Sequence, residues 1–442
     1  MSNLSELLPT GGGQNSVDFV ATGTLSSGQT VALKTDGTVE AVTGVAEGAG
    51  SPSVFESAST EHISATYDST NEKIVIAYQD QGNSNYGTAV VGTVSGTSIS
   101  FGTAVVFDAS AYTSYISATF DSTNNKVVIA YQDYGNSLYG TAIVGTVSGT
   151  SISFGTAAVF NSGATGYSST TYDSTNNRVV IAYSNDAPGA YSYGTAVVGT
   201  VSGTSISFGT AVVFENAASV WTTAAYDSTN GKIVIAYADQ GNSSYGTAIV
   251  GTVSGTSISF GTAVVFESAS TSYTSATYDS TNNKVVIAYK DNGTTYGTAV
   301  VGTVSGTSIS FGTAVVFNSA GNTQYTSATY DSTFNKVTIA YRDAGNTYAG
   351  TAIVGTVSGT SISFGSPVVF NSANTAYTSA TYDSTNNKVV IAYRDQGNSN
   401  YGTSVVFTVG STNNTSFIGI TSEAISNTAT GAINVYGGIN TA

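Results

Sequence analysis

Residues 377–407 read YTSATYDSTNNKVVIAYRDQGNSNYGTSVVF, three β-forming runs separated by a Ser-Thr-Asn-Asn turn and a Gln-Gly-Asn-Ser-Asn loop. Each run has the length of an ordinary strand and is bounded by Asp, Asn, Ser or Gly, which favour turns over sheet interiors. The same pattern recurs upstream, its first turn beginning at Asp68, Asp121, Asp173, Asp227, Asp279, Asp331 and Asp383, a period of roughly 52 residues. In the six earlier copies a fourth run follows, typically GTVSG, TSISFG and TAVVF. Four antiparallel runs per unit at this period predict propeller blades.

The chain ends favour a closed ring over an open solenoid. The seventh unit stops after its third run, while Gly50-SPSVFES, ahead of the first unit, matches Gly365-SPVVFNS, a fourth run. An N-terminal strand completing the seventh blade pairs the two ends of the ring and removes the open edge. The sequence therefore predicts an all-β protein whose residues 45–408 form a seven-bladed β-propeller with four-stranded blades. Residues 1–44 and 409–442 stand outside the repeat. Their runs VDFVATGTL, QTVALKTDG, TVEAVTG, SFIGITSEA and AINVYGG predict one small β-barrel or sandwich built from both termini, with the propeller inserted in it.

Composition narrows the function. The chain has 11 Lys+Arg against 26 Asp+Glu and a net charge of −15, which repels phosphate backbones and argues against nucleic-acid binding. Without Cys and with a single His, there is no disulfide, thiolate zinc site, Cys nucleophile or multi-histidine metal centre. The glycine-rich GTAVVGTVSGTSISFG precedes strands rather than a helix, so it is no phosphate loop, and no cofactor is expected. The opening MSNLSELLPTGGGQNS lacks the cationic start and apolar core of a signal peptide, and runs such as Ile74–Ala77 are too short to insert in a membrane.

Comparing the units with one another locates a working face. The turn between the first and second runs (STNNK) and that between the third and fourth (VSGTSIS) are nearly constant, whereas the other two connections vary from QDQGNSN to SNDAPGAYS and from ESASTE to NSAGNTQ. Strand alternation puts both variable connections on one face of the disc, where loops on a rigid scaffold carry binding specificity. Five positions before the repeat Tyr or Phe, each unit has an aromatic residue: His62, Tyr115, Tyr167, Trp221, Tyr273, Tyr325 and Tyr377. These would ring the channel mouth on the variable face, either to stack on sugars or to wedge neighbouring blades together.

The charged residues sort by repeat position. Of the 17 Asp, seven sit in the first turn and seven (Asp80, Asp133, Asp186, Asp239, Asp291, Asp343, Asp395) begin the second loop, where Asp accepts backbone N–H bonds. Seven near-equivalent carboxylates mark out no catalytic pair, and one carboxylate per loop is thin coordination for a metal. No catalytic residue and no metal site is expected. Seven of the 11 cations follow the first turn, and Lys34 lies in the terminal domain. The remaining three, Lys290, Arg342 and Arg394, occupy one repeat position on consecutive blades, where the other blades carry Gln79, Gln132, Ser184 and Ala238. This broken symmetry suits an acidic glycan or a carboxylate; the alternative is a salt bridge to the adjacent Asp.

Two resemblances add to this reading. Asp291-NGTTY and Asp343-AGNTY are similar to the Asp-box turn of sialidase-type propellers, S-x-D-x-G-x-T-W, with Tyr for Trp; in that family the box is a structural turn. The terminal segments SSGQTVALKTDGTVEAVTG and SFIGITSEAISNTATGAINVYGG resemble the small β-domains of tailed-bacteriophage virion proteins, found in fibres and capsid-decoration proteins. Gly28, Val31, Ala32, Leu33, Asp36, Gly37 and Val39 match the first motif of those domains. Phe417, Ile418, Gly419, Ile420, Ala424, Ala429, Thr430, Ile433 and Gly437 match the second, with Ile433 for the usual Val.

The resemblance implies a non-enzymatic protein on the virion surface, assembled in the host cytoplasm, with the terminal domain contacting other virion proteins and with homo-oligomers expected. The propeller would then present its variable face to a host cell-surface glycan. A passive capsid-decoration role is the alternative, and a propeller glycosidase is a third reading.

Overall fold

The run KVVIAYRD and its counterparts form the second strand of each blade, and they are buried almost end to end. In Lys73–Asp80 every residue after Lys73 is buried. Ile74, Ile76 and Tyr78 pack with Val390, Ala392 and Val406 of blade 7, while Val75 and Ala77 pack with Val127, Ile129 and Tyr131 of blade 2. Both faces of the strand are thus covered, which is why it reads as a continuous apolar run instead of alternating. Seven such cores lie between neighbouring blades and hold the disc together.

The computed structural model describes residues 16–27, 30–33, 36–41, 46–110, 112–186, 192–410, 417–421 and 429–434. Of the residues singled out in the sequence, Gly28, Lys34, Ala424 and Gly437 and part of the loop after Asp186 lie outside the described residues. The chain divides into two compact units, Met1–Glu47 with Gly410–Ala442, and Gly48–Val409.

The second unit is a seven-bladed propeller of antiparallel blades. Ser404, Thr403 and Gly402 of the seventh blade pair with Ser53, Val54 and Glu56, so the N-terminal strand supplies its fourth strand. A substitution within the repeat marks this closure. Six blades carry Gly on the third strand, as at Gly355, where an added Cβ would lie 2.6 Å from Ile362 and 2.9 Å from Phe364 of the fourth strand. In blade 7 the fourth strand presents Ala49 instead, and Phe407, fully buried, fills the vacated space.

One expectation is corrected. The connections between fourth and following first strands are not loops in five of seven places but continuous strands of 16 residues, Ser53–Asp68, Ala158–Asp173, Val212–Asp227, Val264–Asp279 and Val368–Asp383. Each half finds a partner: Val159 pairs with Thr141 of one blade, and Thr171 with Val180 of the next. With the backbone satisfied on both sides of the bend, there is no reason for the strand to end.

The inner strands are joined by side chains. Ala118 N–H donates to Ser64 Oγ at 3.0 Å, and the relation repeats around the ring through Ser117, Ser169, Thr223, Ser275, Ser327 and Ser379. These hydroxyls satisfy backbone donors that no neighbouring strand reaches. Ser327→Ala is therefore expected to cost about 1–3 kcal/mol by leaving the Ala380 N–H without an acceptor. Urea unfolding checks this, and an unchanged midpoint would refute it. On the constant face, Tyr172 donates to Thr123 Oγ1 at 2.5 Å, which donates to Asn177 Oδ1 at 2.8 Å. Such links between blades explain why the STNNK turn hardly varies.

The first unit contains a five-stranded sheet with contributions from both termini. Its strands are Ser16–Val20, Thr30–Leu33, Val39–Ala41, Phe417–Thr421 and Thr430–Asn434, with the first and third at its edges. A bridge between Ala21 and Val39 brings those edges together, so the sheet curls into a small barrel around Ala21, Leu25, Val31 and Val39.

Candidate functional site

A bulge near the start of every first strand sets the site. In blade 2 the pairing shifts between Ser114 and Ser117, so that Tyr115 and Ile116 stand opposite the single residue Tyr131. All seven repeat aromatics sit at such bulges in the left-handed region, with φ of 49° at His62, 47° at Tyr115, 49° at Tyr167, 55° at Trp221, 53° at Tyr273, 51° at Tyr325 and 52° at Tyr377. A bulky L-residue is uncommon there, and such strain gathers at functional positions.

The bulges turn the seven rings onto one circle. Neighbouring centroids lie 5.4 Å (His62 to Tyr115), 5.0 Å (Tyr115 to Tyr167), 5.2 Å (Tyr167 to Trp221) and 4.3 Å (Trp221 to Tyr273) apart. The circle closes through Tyr325 and Tyr377 at 5.1, 5.1 and 5.5 Å. Each ring thus packs against the rings of the two neighbouring blades, and Tyr377 also packs on the core between blades 7 and 1. They surround a cavity of about 240 Å³ whose remaining wall is Ile63, Ile116, Ser168, Thr222, Thr274, Thr326 and Thr378. The last three hydroxyls donate to the carbonyls of Trp221, Tyr273 and Tyr325, whereas Ser168 Oγ and Thr222 Oγ1 are buried without a partner. The wall is thus apolar over blades 1 and 2 and hydroxyl-bearing over the rest.

The three cations flank this ring. Arg394 does not pair with Asp395; it forms a 2.6 Å ion pair with Glu61 of blade 1 and lies 4.8 Å from the Tyr377 ring centre. Arg342 donates to Gln324 Oε1 at 2.9 Å and lies 4.4 Å from the ring centre of Tyr348 and 5.9 Å from that of Tyr325. Lys290 pairs across the sheet from Ser272, next to Tyr273, and its burial lowers the ammonium pKa. The adjacent acids are occupied. Asp343 accepts from Gly345 N–H at 3.0 Å and Asn318 Nδ2 at 3.2 Å, and Asp291 from Gly293 N–H at 2.8 Å and Thr294 Oγ1 at 2.7 Å.

His62 stands apart. Its burial in the ring, assisted by the Arg394 charge and opposed by Glu61, pushes its pKa down to about 4 from 6.5. A depressed imidazole contributes stability that is present above pH 6.5 and is lost as pH falls toward 4. The raised carboxyls of Glu56, Asp80 and Glu215, due first to burial, act oppositely, their contribution being lost as pH rises. His62→Tyr, which installs the aromatic of five other blades, is therefore expected to diminish the acid-side loss between pH 6.5 and 4 and leave the alkaline side alone. Parallel denaturation curves across that range test it, and superimposable profiles for the two proteins would refute it.

Sequence reasoning missed a second set of acids. Glu56, Asp108, Glu215 and Glu267 occupy one repeat position and face second-loop acids across the blade junctions. Ser110 Oγ joins Asp108 and Asp133 at 2.6 and 2.8 Å, and the Asp80 charge raises the Glu56 pKa. The other blades carry Asn161, Asn318 and Asn371 there, and Asn371 Nδ2 donates to Asp395 Oδ1 at 3.1 Å. The alternation of Glu or Asp with Asn at one repeat position was the available signal.

Strand registers and the closed circle of inner strands define the class: a seven-bladed β-propeller whose channel mouth is ringed by aromatics. Among solved structures, Sqt1 from Chaetomium thermophilum is similar at 11% identity and a TM-score of 0.47, the match covering 78% of this chain and 85% of that one. No protein-family model and no curated protein matches the chain.

Proposed function

We propose that this is a non-enzymatic virion surface protein whose propeller binds a host-surface glycan at the aromatic ring, while the small barrel anchors it to the particle. The observation that carries the binding reading is the repeated left-handed bulge, with φ between 47° and 55° at all seven aromatics. The bulge turns all seven rings to one opening, where each meets its neighbours and lines the cavity. Stacking on the flat apolar face of a sugar uses the rings. A cavity of about 240 Å³ lies below the ~300 Å³ at which sites for drug-sized ligands begin, so it suits one terminal sugar. Single-sugar contacts are weak, and many copies on one particle would supply avidity.

The anchoring reading rests on the terminal-segment resemblance and is supported by the barrel drawing strands from both ends of the chain. Fluorescently labelled full-length protein tests the binding reading: it is expected to coat host cells and to lose them once surface polysaccharide is enzymatically stripped. Undiminished binding to stripped cells would exclude a glycan ligand.

A further inference from the structure

Resting on the aromatic ring as the binding site, we infer that its ligand is an acidic sugar, whose carboxylate lies toward blades 5 and 6 against Lys290 and Arg342. The fold does not need cations there. In blade 1 the same position is Gln79, fully buried, whose Nε2 donates to Thr113 O at 2.6 Å. Of the three cations only Arg394 has an ion-pair partner among the described residues. Arg342 is held by Gln324 and Tyr348, and its Nε is buried without a hydrogen-bond partner. Its guanidinium carbon lies 5.9 Å from the Tyr325 ring centre, and its charge opposes the burial that raises the Tyr273 pKa.

In a chain of net charge −15, two half-buried cations on consecutive blades without counter-ions are costly. A bound carboxylate offsets that cost, and a guanidinium already fixed in place loses little freedom on binding it. In blade 3 the cation position is Ser184, whose Oγ donates to Asp186 Oδ1 at 3.3 Å, and the Asp186 charge adds to burial in raising the pKa of Tyr115 and Tyr167. An acidic sugar would therefore bind in one orientation, its carboxylate turned from Asp186.

Trp221 is the only Trp of the chain, so its emission reports directly on the ring. The full-length protein is titrated with matched pairs, glucuronate with glucose and galacturonate with galactose, and calorimetry repeats each titration. At least one acid is expected to bind roughly tenfold more tightly than its neutral partner, with the difference shrinking at ~1 M salt. Lys290→Gln with Arg342→Gln installs the residue blades 1 and 2 already carry and is expected to abolish the preference while neutral-sugar binding persists. Equal affinity within both pairs, or a preference that survives in the double variant, overturns the inference and leaves the ring as a neutral-sugar site. If no sugar of either pair binds by either readout, the ring reading falls and the inference with it.

Discussion

Replacing Trp221 and Tyr273 together by Ala is expected to weaken glycan binding by roughly 5- to 150-fold, the equivalent of about 1–3 kcal/mol for two stacked rings. These rings form the tightest contact of the circle, with centroids 4.3 Å apart, and both line the cavity. Their removal opens the ring at one sector and leaves the cations behind it in place. On a particle carrying many copies the loss is amplified, because avidity compounds each site's deficit. Cell binding by labelled protein measures it, with circular dichroism confirming that the variant is folded. Retention of full binding by a folded double variant would remove the aromatic ring from the mechanism and leave its strained bulges unexplained.

Phe55→Ala is expected to cost about 3–5 kcal/mol and to loosen the ring at its closure. Phe55 is buried, 5.1 Å from Tyr78 and 5.8 Å from Phe101 between ring centres, and its edge rests on Gly402, where an added Cβ would approach to 2.4 Å. Phe160 makes the same contacts with Tyr183 and Phe208 at the junction of blades 2 and 3. There, however, third and fourth strands are joined by a tight hairpin, Ser148 pairing with Ser151. At the closure the fourth strand comes from the far end of the chain. Both substitutions should lower stability similarly. Phe55→Ala alone should also speed amide exchange across Ser53–Ser59 and Tyr401–Ser404. Equal exchange in both variants would show that the closure has no weakness of its own.

Much of the fold was legible because repetition reports on itself. The seven Asp-Ser-Thr turns fixed the period, and the match of Gly50-SPSVFES to Gly365-SPVVFNS identified the closing strand. The continuous strands through ESASTE and its counterparts were not legible. Ser, Ala and Asn suit a loop as well as a strand, and only the two partners that each half meets in space keep the strand going. The candidate site divides in the same way. Comparing units brought out the seven aromatics and the three cations, but no local preference foretells Tyr115 or Trp221 at positive φ, since aromatic residues do not favour that region.

What the sequence determined by itself is the architecture: blade number, strand order, the closing strand and the positions where blades differ, all set by local turn chemistry and apolar patterning that repetition made unambiguous. What only the tertiary structure decided is which groups meet. The ring exists because inner strands from seven blades converge on one axis. Arg394 meets Glu61 because closure brings blade 7 beside blade 1, while Lys290 and Arg342, on the blades before it, meet no such acid among the described residues. Those contacts join residues up to 333 positions apart, and only closure of the chain into a ring brings such residues within reach of one another.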